Sequence, residues 1–199
     1  MPGWTGDPAE DYNHQMVMIR PEEPDDAEAV AAVHVRGWRA GYAGVMPDEV
    51  LTRLNPVAWA QRRRDAGTAE PDHPFRTLVA VVDRQVVGFA TFGPCRNNQD
   101  HDDLDPTHGE LLSMFVDPVR WGQGIGRELM RATRAGLAGQ GRAELRLWVL
   151  ADNQRARRFY QRNGLTADGE RMTYRVPLTG GRTPVGLVEL RYTARLEVA

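Results

Sequence analysis

The 199-residue sequence contains no lysine, so all 25 of its basic residues are arginine. That absence removes the chemistries that need an amine side chain: a Walker A phosphate loop, a kinase strand lysine and a Schiff-base nucleophile. Cysteine is almost as scarce. The lone Cys95 excludes an internal disulfide framework and a multi-cysteine zinc site, and without a placed partner it reads as an inert thiol. Charge of one sign is not in excess either. The 25 basic residues meet 27 acidic ones for a net charge of −2, so no global field favours nucleic acid. No apolar run approaches a membrane span, and Met1 to Asn13 is polar, without the apolar core of a secretory signal. The expectation is a soluble cytoplasmic protein with neither a nucleic-acid nor a membrane partner, long enough to bury one core without staples.

Residues 1–14 carry Pro, Gly, Asp and Asn without periodicity and read as a mobile N-terminal tail ahead of a single domain, 15–199. Met16 to Arg20 reads as a first strand. Asp25 with Glu28 resembles a capping box, and Ala29, Val30, Val33, Val35 and Trp38 support a helix to about Tyr42. Two short helical pieces follow, Asp48 to Leu54 and Val57 to Arg64. Thr77 to Val82 and Val86 to Phe92 are strand-like runs joined by a turn over Asp83, Arg84 and Gln85. Pro94 to His108 reads as a polar, acidic loop, and Leu111 to Val116 as a third strand. Ile125, Leu129, Ala132, Thr133 and Leu137 lie at helical spacing. Leu145, Leu147 and Val149 alternate as a strand. Asp152 or Asn153 then caps a helix through Asn163, with Gly164 at the left-handed position after it. Two closing strands complete a mixed α/β domain of α+β type.

The most informative segment is Val116-Asp117-Pro118-Val119-Arg120-Trp121-Gly122-Gln123-Gly124-Ile125-Gly126. Its alternating glycines sit between a strand and a helix. Without Cβ atoms they can adopt positive φ and let a ligand approach the main-chain amides. The helix start adds unpaired donors and a positive dipole end, which suits a phosphate and needs no lysine. A Rossmann fingerprint fits poorly, because the third glycine would fall on Arg127 or Leu129.

This segment resembles the pyrophosphate loop of the GCN5-related N-acetyltransferase (GNAT) superfamily, Gln/Arg-x-x-Gly-x-Gly/Ala after a strand ending Val-x-Pro. The first position departs from that pattern, being Trp121, with Arg120 one residue early. A second block, Asn153 to Leu165, resembles the family's Asn-x-x-Ala-x-x-x-Tyr-x-x-x-Gly-Phe helix, with Leu165 for Phe. The stretch from Trp38 through Tyr42, Gly44 and Pro47 to Leu51 resembles a bacterial subgroup. The resemblance implies a GNAT fold: a central, mostly antiparallel, twisted sheet, splayed between its fourth and fifth strands and flanked by helices. It implies acetyl-CoA as co-substrate. The pantetheine arm would lie along Met114, Phe115 and Val116. Trp121, Gly122, Gln123, Gly124, Ile125, Gly126 and Arg127 would hold the pyrophosphate, and Asn153 and Tyr160 would sit near the thioester.

Acetyl transfer to an amine makes its own demands. A primary amine of pKa about 10 must lose a proton before it attacks, the thioester oxygen needs an N–H donor, and the departing thiolate needs a proton. Tyr160 stands at the family's position for the acid. Glu110 is the base candidate, since six residues along one strand would put its side chain on the same face as Val116. Trp38 and Tyr42 are candidates for the acceptor wall. Asp100, His101, Asp102, Asp103, Asp105 and His108 have neither EF-hand nor zinc spacing, so no metal is expected. Beside the acceptor mouth this loop would attract a cationic amine. Arg155, Arg157 and Arg158 form a local basic patch, either a solvated helix face or a clamp for the CoA 3′-phosphate. The expected function is N-acetyl transfer to a small-molecule or peptide amine, with a homodimer possible. The competing class is a non-catalytic acyl-CoA-binding module.

Overall fold

A computed structural model describes residues 16–67 and 72–197; the predicted tail, 1–14, lies outside the described residues. The chain runs β1 (Met18–Pro21), α1 (Ala27–Gly41), α2 (Asp48–Thr52), α3 (Pro56–Asp65), β2 (Arg76–Val82), β3 (Gln85–Arg96), β4 (Leu104–Val116), α4 (Ile125–Gly139), β5 (Glu144–Leu150), α5 (Gln154–Arg162), β6 (Thr166–Val176) and β7 (Val185–Arg195). The strands form one seven-stranded sheet in the order β1-β2-β3-β4-β5-β7-β6. All neighbours are antiparallel except β4 and β5. That parallel pair is held only at His108–Glu144, Gly109–Leu145 and Glu110–Arg146. Beyond Glu110 the two strands part, and a wedge opens between Val116 and Leu150.

Helices cover both faces, because the central strands bury both sides and need an apolar partner on each. On one face Ile125, Leu129, Met130 and Leu137 of α4 pack onto Ala80, Phe92, Leu111, Leu145 and Leu147, with Phe159 and Tyr160 of α5 against the same cluster. On the other, Val30 and Val33 of α1 meet Val79, Val81 and Phe89. A third cluster, Met46, Leu51 and Leu150 with Trp38, Tyr42, Tyr174 and Leu187, lies where the wedge opens. Helix α3 is pinned by a buried Arg63–Glu22 pair at 2.6 Å.

Local expectations fail where pairing or a neighbour overrides them. The capping box before α1 is Glu23 with Asp26, not Asp25 with Glu28. Pro24 opens a short 3-10 turn there, and Arg20 fixes the Asp26 carboxylate from β1 at 2.6 and 2.9 Å. The turn after β2 has two residues, Asp83 (φ 50) and Arg84 (φ 64), while Gln85 pairs with Val82. Two successive left-handed residues match the twist of a tight hairpin. The expected loop 94–108 shrinks to 97–103, because β3 continues to Arg96 and β4 begins at Leu104. Pro94, Pro106 and the acidic residues lower strand propensity, but cross-strand partners supply what the local sequence does not.

His34 on α1 sits among Trp59, Phe89 and Phe115 at ring distances of 4.1, 5.1 and 4.6 Å. It accepts from the Trp38 indole at 2.8 Å, so its proton is on Nδ1, which is buried without a partner. Burial, with Arg63 nearby, lowers its pKa from 6.5 to about 3. The unfolded chain therefore takes up this proton first, and stability falls as pH drops below about 6.5. Between pH 6.5 and 5 the wild type should lose about 1.6 kcal/mol more than His34→Gln. Urea midpoints of the two proteins at both pH values check this.

Candidate functional site: the strand–turn–helix and its cavity

The site begins where β4 ends. The Asp117 amide bonds to the Val87 carbonyl at 2.8 Å, and its carboxylate accepts from Arg36 of α1 at 2.6 and 3.0 Å. The turn is thus fixed to both β3 and α1. Pro118 to Arg120 form one 3-10 turn. Trp121 then folds back so that its indole N–H donates to the Val116 carbonyl at 2.8 Å. The Arg155 guanidinium of α5 lies 3.4 Å above the Trp121 ring, a cation–π contact that ties α5 to the turn. Burial lowers the pKa of Arg155, although an arginine remains charged in any case.

Gly122 and Gly124 both take φ +83, and the space where a Cβ would stand is open at Gly122. A side chain at either position would meet backbone strain more than crowding. Gly124 is also the N-cap of α4, and no side chain caps that end. The first-turn amides therefore face outward with the positive end of the helix dipole. Ordinary helices satisfy these donors with a serine, threonine or aspartate. Here no side chain takes that place, an arrangement whose chemistry suits an anion.

A cavity of about 280 Å³ opens onto this turn. Its wall is made by Gly37 and Gly41 of α1 with Tyr42 just after it, Met114, Phe115 and Val116 of β4, the turn from Arg120 through Arg127 except Gln123, and Asn153, Arg155, Ala156, Phe159 and Tyr160 around α5. Gln123 lies on an adjoining groove, together with Arg120, Arg127, Arg155, Arg158 and Arg162. The cavity thus passes from an apolar slot at the wedge to a strongly basic surface. Asn153 itself caps α5 by accepting from the Ala156 amide at 3.1 Å.

Tyr160 faces Phe159 and Tyr192 with centroids 5.5 and 6.4 Å away, and burial pushes its pKa up to about 12. Among the described residues its hydroxyl has no hydrogen-bond partner. Tyr42 stands across the slot. Its pKa is raised by burial first, and then by the charges of Tyr160, Glu189 and Tyr174. Trp38 does not line the cavity; it buttresses Tyr42 edge-on at 5.1 Å and packs with Met46 and Leu51.

Glu110 is not on the cavity wall. Thr91 pairs with Ser113 but Phe92 with Leu111, so Leu112 is an extra residue and the alternation reverses across it. The simple count of six residues therefore misplaces Glu110. It shares a face with Ser113 and Phe115, not with Val116. Its carboxylate is 2% exposed and accepts from the Arg96 amide, Nε and Nη2 at 3.0, 3.0 and 2.6 Å. The basic patch also divides. Arg157 turns inward to the Tyr192 hydroxyl and the Ala151 carbonyl, at 3.3 and 2.9 Å, leaving Arg155 and Arg158 on the groove.

The acidic loop is largely self-satisfied. Asp103 accepts from Asn97 at 2.9 Å, Asp100 from the Asp102 amide at 2.9 Å, and Asp105 from Thr107 and His108 at 2.6 and 2.5 Å. Gly37, Gly41 and Glu189 were not singled out from the sequence, because each reaches this region only through packing of α1 or β7 against the wedge.

Comparison with known proteins agrees with this geometry. The sequence pattern of the Acetyltransferase (GNAT) family matches residues 39–165. The uncharacterised N-acetyltransferase YuaI of Bacillus subtilis is 30% identical over 143 residues, covering 69% of this chain and 74% of that protein. Among solved structures, the PaiA N-acetyltransferase of Thermoplasma acidophilum, in complex with coenzyme A, shares the fold with a TM-score of 0.67, 18% identity and coverage of 90% of this chain and 99% of that one. YncA of Salmonella typhimurium, solved with acetyl-CoA, gives a TM-score of 0.59 at 20% identity, covering 92% of this chain and 95% of its own. With a glycine-rich strand–turn–helix at the mouth of a splayed sheet and a family match over most of the chain, this protein is an acetyltransferase of the GNAT family.

Proposed function

We propose that the protein is an acetyl-CoA-dependent N-acetyltransferase that moves the acetyl group to an amine by direct attack, without a covalent enzyme intermediate. The carrying observation is one continuous surface: an uncapped helix start behind two left-handed glycines, an arginine-lined groove on one side and a slot walled by Tyr160 and Tyr42 on the other. Acetyl-CoA, when bound, supplies the activated thioester.

The roles of the chain's own residues follow from their chemistry. Amides at the start of α4 hold the diphosphate, and Arg155 and Arg158 add positive charge beside it. Met114, Phe115 and Val116 form the free edge of β4 at the wedge, where an extended amide-bearing arm can pair with main chain. The same edge offers an amide to the thioester oxygen as charge develops. Tyr160 keeps its proton throughout the neutral range, being pushed up to about 12. Against a thiolate of pKa about 8.5, outright proton release from such a phenol is uphill. Its contribution is therefore a hydrogen bond donated to the sulfur as negative charge grows, with the amine as the ultimate proton source. Glu110, with both oxygens engaged by Arg96, holds the 97–103 turn in place, and the amine's first proton leaves through solvent at the cavity mouth.

Calorimetric titration with acetyl-CoA, followed by free-thiol release across a panel of amines, tests the reading. Binding with turnover is expected; tight binding without thiol release on any amine would instead indicate an acyl-CoA-binding module. Tyr160→Phe should lower kcat by roughly 100-fold with little change in KM for acetyl-CoA. Arg155→Ala should raise Kd for acetyl-CoA about tenfold, and the difference should shrink as salt is added, as charge-assisted binding requires.

A further inference from the structure

One carboxylate near the open end of the wedge, outside the cavity wall itself, is left unused by the proposed transfer. Glu189 lies on β7 opposite Leu150 of β5 and Met172 of β6. Its side chain is therefore on the same face as Leu187 and Tyr174, which pack with Trp38, Tyr42 and Met46 at the open end of the wedge. One carboxylate oxygen, Oε2, is buried with no hydrogen-bond partner. A buried charge without a partner is costly, and such a group in a native protein calls for an explanation.

The neighbours narrow that explanation. From the 97–103 turn, Gln99 lies near enough to favour the charged form of Glu189; from β3 and β4, Arg96 does the same and Glu110 opposes it. Arg96 already binds Glu110 through its amide, Nε and Nη2, so its charge is largely answered before Glu189 is reached. Glu189 in turn acts on Tyr42, at the end of α1, and on Tyr174 of β6, and Tyr42 is part of the cavity wall. Glu49, the other half-buried acid on this side, is already paired with Arg182 and Thr179. The acidic loop spends much of its charge on its own turns. Among the described residues Glu189 forms no ion pair, and its Oε2 has no hydrogen-bond partner.

Backbone strain supports the same conclusion. Asn98 and Gln99 take φ 53 and 61 in succession, a conformation that side chains other than glycine seldom adopt. The strained pair brings Gln99 to Glu189, and its amide reaches the Met172 sulfur at 2.9 Å. Strain of this kind concentrates where a site must be held open and pre-oriented.

We propose that Glu189 is the acceptor-binding carboxylate, and that the acceptor is a cationic amine whose apolar body lies against Tyr42 and Tyr174. The inference rests on the transferase reading above and names its substrate class. The arriving ammonium replaces the missing partner of Oε2, while its carbon skeleton covers the aromatic wall. Gln99 is a positioning residue that holds the carboxyl toward the slot.

The test uses the full chain and a panel of 1,4-diaminobutane, phenylethylamine and an alanine-led tripeptide. For the amine best accepted by the wild type, Glu189→Gln should raise KM at least tenfold and change kcat less than threefold. KM for acetyl-CoA should not move, and Glu189→Asp should recover part of the loss. The same amine, titrated by calorimetry into protein saturated with CoA, which has no acetyl group to transfer, should bind at least tenfold more weakly to Glu189→Gln. Unchanged KM and unchanged amine affinity would overturn the proposal. So would a fall in kcat with KM intact, which would make Glu189 a base and not an anchor. If Glu189→Gln does not fold, Gln99→Ala carries the same comparison, with a smaller expected rise in amine KM and the same overturning outcome. Wild-type protein that binds acetyl-CoA yet acetylates no amine defeats the transferase reading itself, a result separate from any effect of Glu189.

Discussion

The architecture of this site depends on a helix left uncapped. Helix α4 starts at a glycine, so its first amides have no side-chain acceptor, and the positive end of its dipole is directed at open space. In isolation that arrangement is unfavourable, since orphan donors at a helix start are normally satisfied within the chain. It persists because the segment before it is restrained from three sides. Arg36 on α1 holds Asp117, Val87 on β3 accepts the Asp117 amide, and the Trp121 indole bonds back to Val116. Burial of Ile125, Leu129 and Leu137 anchors the helix itself.

The second structural determinant is the interrupted partnership of β4 with β5. Three residue pairs hold the parallel contact, and it then ends. A strand edge released in the middle of a sheet exposes main-chain donors and acceptors without exposing the sheet's outer edges. Because α1, α4 and α5 converge on the opening, the slot is walled by apolar and aromatic side chains along its length and opens at one end onto arginines. A long ligand with a charged end and a reactive, neutral end matches that gradient. At Trp121, where the family pattern has Gln or Arg, an arginine is nonetheless close in space: Arg155 comes from α5 to lie over the same ring.

Much of the fold was legible because its signals are local. The period change from helix to strand near Thr77, the capping of α5 by Asn153 and the left-handed Gly164 all depend on residues within a turn of one another. The failures share a different cause. The strands beyond Pro94 and before Leu111 are polar and interrupted by proline, and they exist because they pair with each other. Asp26 replaced Asp25 in the capping box because Arg20, on a separate element, holds it. The side-chain alternation along β4 was misjudged because a single unpaired residue, Leu112, has no signature of its own in sequence. That one residue separates a Glu110 on the α1 face from one that would have faced the α4 side.

What the sequence alone determined was the glycine-rich turn, the helix that follows it and the Asn153–Tyr160 helix, because φ preference, capping and amphipathic spacing are carried by neighbouring residues. What only the tertiary structure decided was which charged groups are free. Glu110 is consumed by Arg96, Arg157 is turned inward by Tyr192, and Glu189 is carried by the β7 pairing to the open end of the wedge. Partner choice between residues far apart in the chain is settled by packing and register, and no local pattern encodes it.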